Sequence, residues 1–285
     1  MTAETEPGGA VVTGAGRGLG RGIAALLVER GYTVLVTDVD GEAAAATAVE
    51  LGPRAASMRV DVREETQVIA AGEEILARAG RLVVWVNNAG VLITGPAWEQ
   101  DEATRSLMFD VNALGAVNGT VTAIRAMRER GAGHIVNVVS LAGITSVPGE
   151  AVYAASKHAA IGFSLSTLAD LRLAGIRDID ISCVCPDGIW TPMLHDKLDD
   201  PESALSFSGE LLRPEKVVKA VGRILDRPRP VTVLPRWRGW QSRIADALPR
   251  FGLWALPMAV AMGRSTQRRM LRSQRNGSLR PGPSN

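Results

Sequence analysis

The sequence predicts an α/β protein built on a doubly wound sheet of seven parallel strands, with helices on both faces. Two observations carry this prediction. Seven short apolar runs rich in β-branched residues recur along the chain, and each connection between them is long enough to hold a helix. Strands that are apolar throughout and separated by helix-length crossovers are typical of parallel sheets covered on both faces.

The predicted strands are, in chain order, A-V-V-T, T-V-L-V-T-D, A-A-S-M-R-V-D-V, L-V-V-W-V-N, H-I-V-N-V-V-S, I-D-I-S-C-V-C and P-V-T-V-L-P. The segments between them are richer in alanine and have helical periodicity. In the sixth strand Cys183 and Cys185 alternate, so both face the same side. We expect buried free thiols, because the spacing fits neither a disulfide framework nor a metal-ligand pattern, and no metal site is predicted.

Charge divides the chain into a main domain, residues 1–235, and a basic amphipathic C-terminal extension, residues 236–285. The extension holds ten Arg and one Asp, a local charge of +9, so a total of +2 leaves −7 for residues 1–235. Three roles remain open for the extension: a lid over an apolar pocket, an arm between subunits, or a segment on an anionic membrane surface. Its apolar run 251–262 contains Pro257 and is too short to span a bilayer. Nucleic-acid binding is disfavoured, because a basic tail on an acidic body is poorly placed to follow a phosphate backbone.

The N-terminal segment M-T-A-E-T-E-P-G-G is acidic and polar, unlike a secretory or transit peptide. We therefore expect a cytoplasmic protein, with peripheral contact at the inner membrane surface left open by the extension.

The carboxyl ends of the strands are where ligands bind in sheets of this class. The first predicted strand runs into T-G-A-G-R-G-L-G, residues 13–20. Glycines here permit a tight turn and a close backbone approach to phosphate, and the helix that follows directs its N–H groups at the anion. The spacing does not match G-x-G-x-x-G literally. Even so, its position after the first strand predicts a Rossmann-like dinucleotide site.

Asp38 ends the second strand, about twenty residues after the glycines. A carboxylate there accepts hydrogen bonds from an adenosine ribose and repels a 2′-phosphate, which favours NAD over NADP. Arg17, inside the glycine turn, has the opposite tendency because it can pair with a 2′-phosphate.

Polar residues also follow later strands: Asp61-Val62, then N-N-A-G at 87–90, then Ser140. With the glycine turn, Asn112 in V-N-A-L-G and Y-A-A-S-K at 153–157, the chain resembles the classical short-chain dehydrogenases/reductases over about residues 9–235. Tyr153 and Lys157, four residues apart, lie on one helix face.

The resemblance implies a role for each of these residues. Tyr153 would be the general acid/base, and Lys157 would bind the nicotinamide ribose and lower the pKa of the phenol. Ser140 would orient the substrate oxygen, and Asn112 would hold a proton-relaying water. The implied cofactor-binding residues are Gly14, Arg17, Gly18, Leu19, Gly20, Asp38, Asp61, Val62, Asn88, Ala89, Gly90, Tyr153, Lys157, Pro186, Ile189 and Thr191. A homodimer or homotetramer built on the helices bearing Asn112 and Tyr153 is also implied.

One residue departs from the family pattern. In C-P-D-G-I-W-T-P-M, Asp187 stands where the family usually has glycine. One hypothesis is conformational, since Asp tolerates unusual backbone angles. The other is electrostatic, in which a carboxylate near the nicotinamide favours the oxidised, cationic ring and so alcohol oxidation.

The substrate pocket is expected to be apolar, with no cation placed to clamp a carboxylate or phosphate. Its expected lining is Leu141, Ala142, Val147, Trp190, Met193, Leu194 and the loop up to about Leu212. These residues predict an NAD-dependent oxidoreductase of a lipophilic secondary alcohol or ketone, such as a steroid, terpenoid or cyclic alcohol. His195 is expected to belong to a surface loop. Two alternatives are an NADPH-dependent 3-oxoacyl ketoreductase, which Asp38 disfavours, and a nucleotide sensor, which the full set of reactive residues disfavours.

Overall fold

A seven-stranded, all-parallel sheet with strand order β3-β2-β1-β4-β5-β6-β7 forms the centre of the protein. This computed structural model describes residues 8–129 and 131–275. The strands are β1 Gly9–Thr13, β2 Thr33–Asp38, β3 Ala55–Arg59, β4 Leu82–Asn87, β5 Gly133–Val138, β6 Ile179–Pro186 and β7 Val231–Leu234. The predicted fold class is confirmed. The strand order reverses between β1 and β4, so a crevice opens above their carboxyl ends.

Helices cover both faces of the sheet. They are α1 Gly18–Glu29, α2 Gly41–Leu51, α3 Glu65–Ala79, α4 Glu102–Phe109, α5 Gly115–Arg128, α6 Ala151–Leu173, α7 Pro192–His195, α8 Pro214–Asp226, α9 Arg236–Ala247 and α10 Pro249–Arg275. Neighbouring strand residues serve opposite layers: Val12 packs with α1, α2 and α8, whereas Val11 packs with α3, α5 and α6. Because both faces of each strand are buried in this way, apolar residues occupy every position of the strands and not only every second one.

The helical stretch Glu102–Arg128 runs through α4, a wider turn at Asp110–Leu114 and α5. Among the described residues it is the one helix long and apolar enough by composition to cross a membrane. Almost half of its apolar window is buried within the protein, where α5 packs on β4 and α3. The apolar composition of this helix is therefore explained by its packing in the core.

The extension folds back onto the substrate side of the sheet. Helix α10 crosses the short helical segment Pro201–Phe207 so closely that a Cβ on Gly263 would overlap the carbonyl oxygen of Ala204. Gln267 is buried, and its Nε2 donates to Asp200 O at 2.8 Å and Ser203 Oγ at 3.0 Å. Of its three expected roles, these contacts support that of a lid. The domain division at residue 235 stays a prediction.

Candidate active site

A cleft of about 1120 Å³ lies above the carboxyl ends of the strands. Of the predicted catalytic and cofactor-binding residues, all but Asn112 line it. These residues are far apart in the sequence but close in space, because the parallel sheet brings the carboxyl ends of its strands to the same edge. The roles given to them by resemblance stay predictions.

The glycine turn after β1 is tied to the N-N-A-G segment after β4. Asn88 Nδ2 donates to the carbonyl oxygens of Thr13 at 2.9 Å and Gly14 at 2.8 Å. A Cβ on Gly14 (φ +60°) would lie 2.7 Å from Ala89 Cα, and one on Gly20 would lie 2.3 Å from Gly14 O. Only glycine allows the chain to pack so closely at these two positions.

Helix α1 begins at the floor of the cleft with no side-chain cap for its first N–H groups. Gly18 (φ +58°) has open space where a Cβ would be. Uncapped helix N–H groups beside glycines form a cradle for an anion. The residues present therefore fit the pyrophosphate of a dinucleotide.

The Asp38 carboxylate is fixed at the end of β2. Its Oδ2 accepts from Gly16 N at 2.9 Å and its Oδ1 from Asp40 N at 3.1 Å. It lines the cleft together with Arg17, which is exposed.

Asp61 and Val62 follow β3 at the next position along the cleft. The Arg63 guanidinium pairs with the Asp61 carboxylate at 2.5 Å and holds the pKa of that carboxyl below its usual range. Val62 packs where a Cβ on Gly115 would otherwise lie. Arg63 also lines the cleft and was missed in the sequence, where it resembles any exposed arginine at a turn.

Tyr153 and Lys157 project from α6 into the cleft, and both are buried. Lys157 Nζ lies 5.7 Å from the centre of the Tyr153 ring and donates to Val138 O at 3.3 Å. A Cβ on Gly90 would lie 3.4 Å from Lys157 Nζ and 3.1 Å from Asn112 Oδ1, so glycine leaves room for both side chains.

The pKa of the Tyr153 phenol is shifted upward by its protein surroundings, and the expected lowering by the ammonium and a positive nicotinamide together stays a prediction. Burial raises the pKa of Tyr153 above its usual value, the nearby Glu150 carboxyl raises it further, and the Ser140 hydroxyl partly opposes both. Burial also lowers the pKa of Lys157 to about 8. In a dry site, loss of hydration outweighs one ammonium several ångströms away.

Asn112 lies behind the cleft wall, inside the wide helical turn between α4 and α5. Its Oδ1 accepts from Val91 N at 2.8 Å, and its Nδ2 donates to Val91 O at 2.9 Å and Ser156 Oγ at 3.1 Å. Ser156 in turn donates to Tyr153 O at 2.7 Å. The amide thus joins the Val91 loop to α6, and its expected role in holding a water stays a prediction.

Ser140 begins the short helical turn Leu141–Gly143 after β5. Its Oγ accepts from Ala142 N at 3.1 Å, which fixes the hydroxyl at the cleft edge on the Tyr153 side. Pro186, Ile189 and Thr191 line the cleft after β6, as predicted.

Both hypotheses for Asp187 need correction. No described residue other than glycine has a positive φ, so the position does not require an unusual backbone angle. The carboxylate is not a free charge near the nicotinamide site either, because Arg238 Nε of helix α9 donates to Asp187 Oδ2 at 2.7 Å. Both side chains are largely buried, with 7% of Asp187 and 16% of Arg238 exposed. Asp187 therefore fixes the extension to β6.

The substrate wall includes the predicted Leu141, Ala142, Val147, Met193 and Leu194. Trp190 is a correction. It does not line the cleft, because its ring packs 3.8 Å from that of His195, centroid to centroid, and joins the apolar cluster around Phe207. The Trp190 and His195 rings therefore pack outside the cleft, against the apolar cluster around Phe207.

Glu150 was missed in the sequence. It lies one turn before Tyr153, is 2% exposed, and accepts from Ser206 Oγ at 2.5 Å. Burial raises its pKa to about 7. Lys197 also lines the cleft, and its charge partly opposes the rise in the pKa of this carboxyl, so the expectation of no cation in the pocket was incomplete. A glutamate immediately before an alanine-rich helix is too common to single out without the fold.

The extension forms part of the cleft wall, a role that its sequence alone did not decide. Ile244, Leu253, Leu256 and Ala259 of α9 and α10 line the cleft. The site is therefore closed by residues more than eighty positions away from Tyr153 in the chain.

A family model described as short chain dehydrogenase matches residues 9–202. This chain belongs to the short-chain dehydrogenase/reductase family. It is accordingly an oxidoreductase of small molecules with a nucleotide-binding site. This short-chain dehydrogenase is similar to cyclopentanol dehydrogenase of Comamonas testosteroni, 34% identical over 219 residues, which make up 74% of this chain and 86% of that protein.

Two further relatives extend the comparison. The sex determination protein tasselseed-2 of Zea mays is 42% identical over 196 residues, 65% of this chain, and the match spans little more than half, 56%, of that protein. A crystal structure of a short-chain dehydrogenase/reductase from Burkholderia phymatum in complex with NAD superposes with a TM-score of 0.78. That protein is 28% identical to this chain in sequence, and the superposition covers 87% of this chain and 96% of that one.

Proposed function

We propose that this short-chain dehydrogenase is NAD-dependent and interconverts a lipophilic secondary alcohol and its ketone. The observation that supports this best is that the glycine cradle, Ser140, Tyr153 and Lys157 converge in one largely apolar cleft. A few polar groups gathered in an apolar cavity are typical of a catalytic site. A nucleotide sensor needs the cradle alone.

A nicotinamide ring held in the cleft by the glycine cradle and Lys157 would accept the hydride of the alcohol in oxidation and would give it to the ketone in reduction. In the oxidation direction Tyr153, as phenolate, takes the proton of the substrate hydroxyl while the carbinol carbon loses its hydrogen with both electrons. The Ser140 hydroxyl holds the same oxygen in line. In the reduction direction the neutral phenol returns that proton to the oxygen.

The two directions should differ in their dependence on pH. Burial favours the neutral phenol of Tyr153, the form required for reduction. Oxidation requires the phenolate, which the Lys157 ammonium stabilises by its charge. With a pKa of about 8, Lys157 is mostly charged at neutral pH. Alcohol oxidation should therefore rise with pH more steeply than ketone reduction.

The preference for NAD rests on Asp38. Two backbone N–H groups hold its carboxylate beside the cleft, ready to accept from ribose hydroxyls. A 2′-phosphate at this place would meet a fixed negative charge. Arg17 is the one group at the glycine turn that would favour NADP.

The substrate class rests on the cleft wall. Apolar side chains dominate the substrate end, and α9 and α10 extend that wall beyond the strand ends. Cyclopentanol dehydrogenase, a relative at 34% identity, is named for a cyclic secondary alcohol. The extended wall suits a larger apolar alcohol of the steroid or terpenoid kind.

The test is absorbance of the reduced nicotinamide with NAD⁺ and NADP⁺ separately, against secondary alcohols graded from cyclohexanol to steroids. Turnover with NAD⁺ is expected, and Tyr153→Phe should lower kcat by about 10²–10⁴-fold without loss of NAD⁺ binding in calorimetry. Tyr32→Phe, at the chain's other tyrosine, is the matched control. Equal use of NADP⁺ would contradict the role of Asp38. Binding of NAD⁺ without turnover of any alcohol would favour a sensor.

A further inference from the structure

Exposed apolar side chains concentrate on the extension. Sixteen large apolar residues are exposed among the described residues, and half of them lie within residues 237–262. These eight are Trp237, Trp240, Ile244, Leu248, Leu253, Trp254, Met258 and Met262, each at least 53% exposed. Single exposed apolar residues are ordinary on a protein surface, whereas a cluster of this density marks a contact surface.

The spacing places these residues on the outer faces of the two helices. Trp237, Trp240 and Ile244 of α9, and Leu248 just after its end, follow one another at intervals of three and four residues, so they form one stripe. The opposite face is used for packing: Gly239 lies against Val233 of β7, and Ser242 is buried. In α10 the inner face packs through Gly263 and Gln267. We name the outer apolar stripes of both helices the outer face.

A cluster of arginines continues the outer face along α10. Arg264, Arg268, Arg269 and Arg272 line a shallow groove with Pro257 and Ala261. Within the described part of the chain, none of these four guanidinium groups forms an ion pair or a side-chain hydrogen bond. Their charge is therefore available to an anionic partner.

We propose that the outer face docks the protein on an anionic phospholipid surface. Aromatic and apolar side chains beside arginines on amphipathic helices are the combination that binds at the interface of such a bilayer. A second copy of the chain fits less well, because a two-fold contact uses the same patch of both copies and would gather eight of these arginines in one interface. A nucleic acid would leave the apolar stripes uncovered.

The outer face is continuous with the cleft. Ile244 and Leu253 are more than half exposed and also line the cleft, and Leu256 and Ala259 continue that wall inward. An apolar path thus leads from the docking surface to the substrate end. Entry of an apolar alcohol from the lipid rests on the proposed function; the docking does not.

The experiment is co-sedimentation of the full chain with phosphatidylcholine vesicles, with and without phosphatidylserine, in the absence of nucleotide and alcohol. Binding that requires phosphatidylserine and weakens with salt is expected. Replacing Arg264, Arg268, Arg269 and Arg272 together by Gln should lower the partition coefficient by about 10²–10³-fold. The matched control replaces four exposed arginines elsewhere, Arg128, Arg177, Arg227 and Arg229, and should bind as the wild type does.

Trp240→Gln tests the apolar part against Trp98→Gln, since both tryptophans are exposed but only Trp240 lies on the outer face. Only the first should weaken vesicle binding. No sedimentation with phosphatidylserine, or equal loss in test and control variants, would overturn the proposal. A dimer in light scattering that Trp240→Gln dissociates, without vesicle binding, would assign the face to a second copy. Failure of the proposed oxidoreduction leaves the vesicle result unchanged, so the two outcomes are separable.

Discussion

Arg238→Leu isolates the contact that fixes the extension to the sheet. The change leaves the Asp187 carboxylate 7% exposed without its cation, since Arg238 Nε is the charged group that donates to Oδ2. Removing one partner of a buried ion pair costs about 3–5 kcal/mol. Gly188 N still donates to Oδ1 at 3.0 Å, and the wild-type Arg238 side chain is 16% exposed, so the pair is not fully desolvated. We therefore expect a loss around the lower end of that range, about 2–4 kcal/mol.

The assay is denaturant unfolding followed by circular dichroism, with the melting temperature as a second measure. A loss of this size should lower the Tm by roughly 5–15 °C in a chain of this length. Arg78→Leu is the matched control, because its pair with Glu74 has the same type of contact at 2.6 Å but is 49% and 40% exposed. That variant should lose less than about 1 kcal/mol.

A double-mutant cycle separates the pair from other effects of the change. Asp187→Gly installs the residue usual in the family and removes the buried charge. The double variant should therefore be more stable than Arg238→Leu alone, with a coupling energy of about 1–3 kcal/mol. Additive single effects, or a loss in Arg238→Leu no larger than in the surface control, would refute the view that this pair fixes the extension.

Three other changes test separate parts of the structure. Asp38→Asn should lower kcat/KM for NAD⁺ by about 10–100-fold, because it weakens charge-assisted hydrogen bonds. The ratio of kcat/KM for NADP⁺ to that for NAD⁺ should rise. Exposed Glu42→Gln is the control, and an unchanged ratio in Asp38→Asn would contradict the role given to Asp38. Glu150 has a pKa of about 7 when folded against 4.5 as the ordinary value, so the fold binds its proton more tightly and this group's contribution to stability falls as pH rises from 4.5 to 7. Unfolding free energies should then show Glu150→Gln gaining about 3 kcal/mol on the wild type across that interval, and a difference independent of pH would sink the idea. Gly263→Val places a Cβ against Ala204 O and should destabilise by about 2–4 kcal/mol, whereas Gly162→Val, with open space at its Cβ, should lose less than about 1 kcal/mol; equal melting temperatures would contradict the close packing of α10.

The extension shows where sequence reasoning stops. Its charge and tryptophans suggested a lid, an arm or a membrane segment, and its composition is compatible with all three. Only the packed structure shows that Gln267 and Gly263 fix α10 on the segment Pro201–Phe207, while the tryptophans remain outside. The inner side of the extension thus packs on the domain, and the exposed outer face, which shares Ile244 and Leu253 with the cleft wall, is available for docking.

The pKa of Tyr153 is a second property that the sequence alone did not decide. The spacing of Tyr153 and Lys157 fixes them on one helix face, so their proximity followed from the sequence. The direction of the pKa shift did not follow, because it depends on how much water reaches the phenol and on Glu150, whose burial results from the packing of the Ser206 loop.

The sequence by itself determined the seven parallel strands and the polar residues and glycines that follow them. Local patterns suffice for this, because apolar runs, glycine turns and helical spacing act over a few residues. The tertiary structure decided the partner of Asp187, the burial of Glu150 and the closure of the cleft by α9 and α10. Each of these depends on contacts between residues 50 or more positions apart, whose distances and desolvation are set only when the whole chain packs.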